Sequence, residues 1–327
     1  MYNDKCDNSG DFMDDVAILI PMYNEEKTIV KVIDDFFSVL PKNSKIYVYD
    51  NNSIDNSCNE VEKTQKAILR KEYKQGKGNV VRRMFREVDA KIYVLVDADD
   101  TYSAKDLEKL ISPILERNAD MVIGDRLSSS YFTENKRRFH SFGNILMKKL
   151  VNIFFKSDVK DIMTGFRSFS RSFVKTYPCL SKGFEIETEM TIHAIDKNLN
   201  IENVTIDYKD RPSDSPSKLN TISDGIKVIF TFIKYFALYK PLLFFTMIAS
   251  VMFIIATIMF IPVLIEYKNT HLVPRFPTLI VSGFLYIASL QCFFTGLMLE
   301  LINKNNRQEF EYKYNCVDIS LVDKQSR

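Results

Sequence analysis

Residues 90–101 read Ala-Lys-Ile-Tyr-Val-Leu-Val-Asp-Ala-Asp-Asp-Thr, an apolar run that stops on three acids. Ile92–Val96 has the length and composition of a strand buried on both faces. Asp97-Ala98-Asp99-Asp100 follow it immediately. The same pattern recurs on both sides. Val16–Ile20 ends in Pro21-Met22-Tyr23-Asn24-Glu25, and Ile46–Tyr49 ends in Asp50-Asn51-Asn52-Ser53. Met121–Ile123 ends in Gly124-Asp125-Arg126. Helical spacing fills the gaps: Ile29, Val32, Ile33, Phe36, Phe37 and Leu40, then residues 55–66, a helix from Gly76-Lys77-Gly78 through Val88, and another from about Ala104. A short strand is expected near Ala67–Arg70. Buried strands alternating with amphipathic helices predict an α/β fold with a mostly parallel sheet. Ligands of such sheets bind beyond the carboxyl ends of the strands, so the polar clusters should converge on one rim.

Asp97-Ala98-Asp99 is the sharpest of these clusters. Two carboxylates one residue apart after a buried strand can both face a hard cation. Mg²⁺ typically takes one or two carboxylates and completes its shell with phosphate oxygens and water. Acids in this position also start helices, so the triplet alone leaves both readings open.

Composition narrows the class. In 327 residues, 46% hydrophobic and 26% charged exclude a chain that is mainly disordered. A net charge of +2 gives no support to a nucleic-acid partner. The five cysteines contain no CxxC pair, which fits a reducing compartment. Residues 1–15 read as a polar tail without a secretory signal.

The last third changes character. Residues 241–265 and 276–299 carry no charge, and each is long enough to cross ~30 Å of hydrocarbon. Only residues 266–275 separate them, so they read as a transmembrane hairpin within 241–302. Lys227, Lys234 and Lys240 precede it, and Lys304, Arg307 and Lys313 follow. That bias predicts both outer ends, including a tail over 303–327, on the cytoplasmic side of the inner membrane. Before the spans, Ile222, Ile226, Ile229, Ile233 and Phe236 form one face of a helix over 221–240. It reads as an interfacial helix on the lipid bilayer, or as one packed on the soluble domain. The apolar helices also leave open association with a second copy.

Taken in order, Pro21–Glu25, Asp50–Asp55, Gly76-Lys77-Gly78 and Asp97-Ala98-Asp99 resemble the family 2 glycosyltransferases, with the nucleotide-diphospho-sugar transferase (GT-A type) fold over 16–220. Asp161–Arg167, Phe184–Met190, Arg211–Thr221 and the hairpin narrow the resemblance to polyprenyl-phosphate hexosyltransferases. The resemblance implies inverting transfer of a hexose from a UDP- or GDP-linked sugar to polyprenyl phosphate. It places Pro21, Tyr23, Glu25 and Asp50 at the nucleotide, Lys77 near its phosphates, and Mg²⁺ or Mn²⁺ on Asp97 and Asp99. Arg126, Arg137 and Ser141 would hold the acceptor phosphate. Thr101 stands where many relatives carry a glutamine, so a third ligand there is in doubt. Asp161 and Arg167 read either as a pair framing the site or as a structural pair. Glu187 is a weaker site candidate, because acids favour a helix start in any case.

A polyprenyl acceptor is anionic already and needs little base catalysis. A processive polysaccharide synthase would be expected to carry a Gln-x-x-Arg-Trp signature, and this sequence has no tryptophan. A non-catalytic membrane scaffold of the same fold, or a transferase using another lipid or glycan acceptor, remain the alternatives.

Overall fold

A computed structural model describes residues 13–128, 142–209 and 221–325. The chain divides into two units, residues 1–228 with 313–327, and residues 229–312.

The first unit is built on a seven-stranded sheet. Its strands are β1 (Asp14–Met22), β2 (Lys45–Asp50), β3 (Ala67–Lys71), β4 (Ala90–Leu95), β5 (Met121–Asp125), β6 (Arg167–Ser170) and β7 (Ile201–Thr205), in the spatial order β3-β2-β1-β4-β6-β5-β7. β1, β2, β3 and β4 are mutually parallel, with Met22 opposite Asp50 and Leu19 opposite Leu95. β5 and β7 are parallel to each other. β6 runs antiparallel between β4 and β5, which makes the sheet mixed. No sequence pattern announced β6. It is four residues long, and two of the four are serine.

Helices cover both faces. α1 (Ile29–Ser38), α2 (Ser57–Thr64) and α4 (Leu107–Arg117) enclose one core with Val16, Ile18, Ile20, Val94 and Phe166. On the other side, α3 (Lys77–Glu87) packs on β1 and β2, while α6 (Arg171–Thr176) packs on β4 and on α3. There Phe85, Phe169, Phe173 and Tyr177 form a chain of ring contacts. α5 (Phe142–Phe155) and α7 (Ile186–Asp196) pack together. Pro21 sits inside β1 at no cost to the ladder, because β4 pairing stops at Leu19.

The second unit is helical. It takes in most of α8 (Thr221–Tyr239), α9 (Pro241–Thr270) and the first part of α10 (Phe276–Gln325). α9 and α10 are long and apolar enough to cross a membrane, and few of their residues are buried. Ala249, Ala256 and Val263 are buried at seven-residue spacing on α9, and Ser282 and Ser289 at the same spacing on α10. Ser289 donates to the Ala249 carbonyl at 2.8 Å and Tyr286 to Thr257 at 3.0 Å. Small residues of this kind let apolar helices approach without a hydrophobic driving force.

Two details of these helices add to the expectations. The apolar face of α8 is split: Phe232, Tyr235 and Phe236 are buried, while Ile229 and Ile233 are exposed. Beyond residue 302, α10 continues as a helix to Gln325. No proline or glycine follows Gly296 to stop it. Asn303 and Arg307 on that extension donate to the carbonyls of Leu238 and Tyr239, capping the end of α8.

Candidate active site

The carboxyl ends of β1, β2 and β4 deliver their polar clusters to one rim, and side-chain hydrogen bonds lock the loops together. Asn24, Asn52 and Asp100 all have left-handed backbones at these strand ends, a conformation Asn and Asp tolerate best. Asn24 N donates to Ser53 Oγ at 2.9 Å, and its Oδ1 accepts from Ile54 N at 2.8 Å. Glu25 N donates to Ser57 Oγ at 2.9 Å. Asn51 donates to the carbonyls of Glu72 and Lys74 and accepts from Gly76 N at 2.7 Å. It therefore joins the end of β2 to the start of α3, a role its sequence position did not reveal.

Asp50 lies at the base of this wall, 1% exposed. Its Oδ1 accepts from Ser53 N at 3.0 Å. Its Oδ2 is buried without a hydrogen-bond partner among the described residues, with Lys71 Nζ 3.7 Å away. Buried polar atoms are rarely left unpaired, so this oxygen is suited to a donor group on a ligand. Burial and the charge of Asp50 push the Cys58 thiol up to about 11. Pro21 and Tyr23 border the same wall, Tyr23 36% exposed, and the Glu25 carboxylate accepts from Thr28 Oγ1 at 3.3 Å.

The acids after β4 have three different surroundings. Asp97 Oδ1 lies 2.5 Å from Lys77 Nζ, which lies 2.6 Å from Glu187 Oε1. Burial alone would lower the Lys77 pKa, but Asp97 and Glu187 outweigh it and hold the ammonium above its ordinary value. Gly165 packs against the Asp97 carboxylate so closely that a Cβ there would overlap it. Asp99 is buried, and its Oδ1 accepts from Thr101 N and from Thr101 Oγ1 at 2.6 Å. Thr101 is thus a support for Asp99. Asp100 pairs with Lys31.

Among the described residues, no three His, Cys, Asp or Glu side chains gather as a metal site. Asp97 and Asp99 would supply two carboxylates, the number Mg²⁺ or Mn²⁺ takes when phosphate and water complete the shell, and Gly165 has no Cβ to crowd the Asp97 carboxylate. The donor set fits such an ion bound together with a diphosphate.

The glycines flanking Lys77 serve packing. A Cβ on Gly76 would collide with the Lys182 carbonyl, and one on Gly78 with that of Ser181. Gly78 N donates to Lys182 O at 3.0 Å, and Glu189 fixes the same loop by accepting from Leu180 N and Ser181 N. Glu187 and Glu189, in the first turn of α7, therefore tie this helix to the start of α3.

Arg126 grips Asp161, with Nε to Oδ2 at 2.8 Å and Nη2 to Oδ1 at 3.1 Å. Its guanidinium also lies over the Tyr208 ring, 5.4 Å from the centroid. Asp161 is fully buried and also accepts from Asn144 Nδ2 at 2.7 Å. Burial would raise its pKa, but the charge of Arg126 more than offsets this and keeps the carboxyl below its usual range. Arg167 is not the hydrogen-bonded partner of Asp161. It donates to the carbonyls of Ile162 and Thr164 and to Thr191 Oγ1, and burial lowers its pKa to about 10. Tyr102 joins the two halves of the rim, its hydroxyl accepting from Gly165 N at 3.0 Å. Arg137 and Ser141 lie outside the described residues.

Comparison with known proteins gives the family and the fold. The family model described as glycosyl transferase family 2 matches residues 17–177. Glycosyltransferase AglJ of Haloferax volcanii is 32% identical over 213 residues, 65% of this chain and 69% of that protein. A dolichyl-phosphate hexose transferase of the same organism is 26% identical over 215 residues, 66% of this chain and 91% of that protein. Among solved structures, glucosyl-3-phosphoglycerate synthase from Mycobacterium tuberculosis, in complex with Mn²⁺, UDP and glucosyl-3-phosphoglycerate, superposes with a TM-score of 0.55 at 20% identity. The match covers 68% of this chain and 80% of that one, and it establishes the GT-A-like fold.

Proposed function

The chain belongs to the family 2 glycosyltransferases, and on that premise we propose that it moves a hexose from a nucleoside-diphosphate sugar to polyprenyl phosphate at a membrane. The observation that carries this reading is the rim itself. A buried acid, one oxygen of which has no hydrogen-bond partner among the described residues, lies at the end of β2, and a pair of carboxylates braced by Lys77 and Thr101 at the end of β4. Two long apolar helices in the same chain fit an acceptor that is itself a lipid. The dolichyl-phosphate hexose transferase among the relatives supports the acceptor class, and the UDP and Mn²⁺ of the structural neighbour support the donor side.

Asp50 would accept an N–H from the base, beside Pro21, Tyr23 and Glu25. Asp97 and Asp99 would hold Mg²⁺ or Mn²⁺, which when bound offsets the charge that grows on the departing diphosphate. Lys77 would add a further cation on that side. The acceptor phosphate attacks the anomeric carbon as its C–O bond to the diphosphate breaks. It is anionic at neutral pH, so alignment is the protein's larger task. Arg126, held in place by Asp161, would face the acceptor, joined by Arg137 and Ser141. Because Asp161 cancels much of its charge, Arg126 contributes fixed orientation more than net attraction.

The test is transfer by the purified full chain in detergent, offered polyprenyl phosphate and a panel of UDP- and GDP-hexoses with Mg²⁺ or Mn²⁺. Hexose on the lipid is expected, and Asp99→Asn should slow it by roughly 10²–10³, the scale of removing one charge-stabilising group. Equal rates for the variant, or hexose on a glycan acceptor and none on the lipid, contradict the proposal.

A further inference from the structure

Lys77 bridges an interior acid and a rim acid. Its side chain is 9% exposed, that of Glu187 6%, and that of Asp97 26%. The more exposed partner is the one the proposed reaction gives to a divalent cation. An ammonium and a divalent cation sharing one carboxylate repel each other, most strongly where water is excluded. The backbone that carries Lys77 is meanwhile fixed on both sides, by Gly76 N on Asn51 and Gly78 N on Lys182 O. Only the side chain is left to adjust.

Resting on the metal reading above, we propose that Lys77 is a placeholder cation for Asp97, and that Glu187 is the positioning residue that retains Lys77 when Asp97 is given over to a divalent cation and the donor diphosphate. Lys77 keeps its bond to Glu187 and turns the N–H released by Asp97 toward the diphosphate. Cation and nucleotide then bind as a coupled pair. A cation alone must displace Lys77 with nothing to receive it, whereas the diphosphate offers Lys77 a new acceptor.

The two side chains should act with opposite signs. Without the charge of Lys77, Asp97 is available and the cation binds more tightly on its own. Without the charge of Glu187, Lys77 has only Asp97 to neutralise it, and the cation binds more weakly. A lysine with a purely structural role would weaken binding in both variants.

The experiment is Mn²⁺ binding to the full chain in detergent, followed by the electron paramagnetic resonance signal of free Mn²⁺, alone and with UDP or, in parallel, GDP. In the wild type, nucleotide should tighten Mn²⁺ binding about tenfold or more, within the usual range of coupling between sites. Lys77→Met should tighten Mn²⁺ binding in the absence of nucleotide by about tenfold and lose most of the coupling. Glu187→Gln should weaken it several-fold. If Lys77→Met does not fold, the pair Lys77→Met with Glu187→Leu removes both charges together and should show the same tightening. Weaker or unchanged Mn²⁺ binding in the Lys77 variants, with the wild type binding Mn²⁺ and nucleotide, overturns the placeholder while leaving the metal reading intact. No Mn²⁺ binding by the wild type with either nucleotide overturns both.

Discussion

Asp50 is almost wholly enclosed, yet one oxygen of its carboxylate has no hydrogen-bond partner among the described residues. A bound base that donates to it would form a charge-assisted bond worth roughly 1.5–3 kcal/mol. Asp50→Asn should therefore weaken nucleoside-diphosphate binding by about ten- to a hundredfold in calorimetry. Unchanged affinity would remove Asp50 from the nucleotide wall. Arg126 calls for a different test, because Asp161 depends on it. Removing one partner of a buried ion pair typically costs about 3–5 kcal/mol. Arg126→Ala should lower the unfolding midpoint sharply, and Arg126→Ala with Asp161→Ala should recover part of that loss. An Arg126→Ala protein as stable as the wild type would show that the pair contributes no support. Only after this separation does a loss of acceptor affinity speak to the acceptor phosphate. Asp50 was legible in the sequence because it ends an apolar run. The Arg126–Asp161 pair was not, because its members are 35 residues apart and the contact depends on how the 161–167 loop folds back.

Among the elements, the strands with continuous apolar runs were legible, and their acid-tipped ends did meet on one rim. β6 was not, since four residues inserted antiparallel between two strands carry too little pattern to read. Helix α7 was legible at its start, from the acids there, and not from an apolar face. Its burial is nearly continuous from Ile186 to Ala194, acids included, so it has no apolar face to detect. That burial has a pH consequence. Burial, aided by the charge of Lys197, lowers the His193 pKa to about 4. In the unfolded chain it should titrate near 6.5. Between those values the unfolded state holds more protons, so stability rises with pH. The contribution is complete above about 6.5 and is lost as pH falls towards 4, with a ceiling of roughly 3 kcal/mol. Melting of the wild type should drop between pH 7.5 and 5, and His193→Gln should flatten that dependence. Identical slopes in the two proteins would assign the acid sensitivity elsewhere.

For the molecule as a whole, the sheet and the apolar helices form separate units whose border, near residue 229, lies close to where hydropathy changes in the sequence. The turn between α9 and α10 is short, and lysines and arginines flank the outer ends of the pair. We propose that the turn lies outside and the sheet domain in the cytoplasm. In a background free of native cysteines, His271→Cys should react with an impermeant thiol reagent on intact cells. Ile54→Cys, at a position 88% exposed on the sheet domain, should react only after permeabilisation. The reverse pattern would invert the orientation. Chemistry at a lipid phosphate can be followed at the phosphorus atom itself. Phosphorus-31 NMR of the full chain in detergent with polyprenyl phosphate, divalent cation and the accepted sugar nucleotide should show the phosphomonoester resonance replaced, one for one with nucleoside diphosphate released, by that of a phosphodiester. Release of nucleoside diphosphate while the monoester stays unchanged would contradict transfer to polyprenyl phosphate.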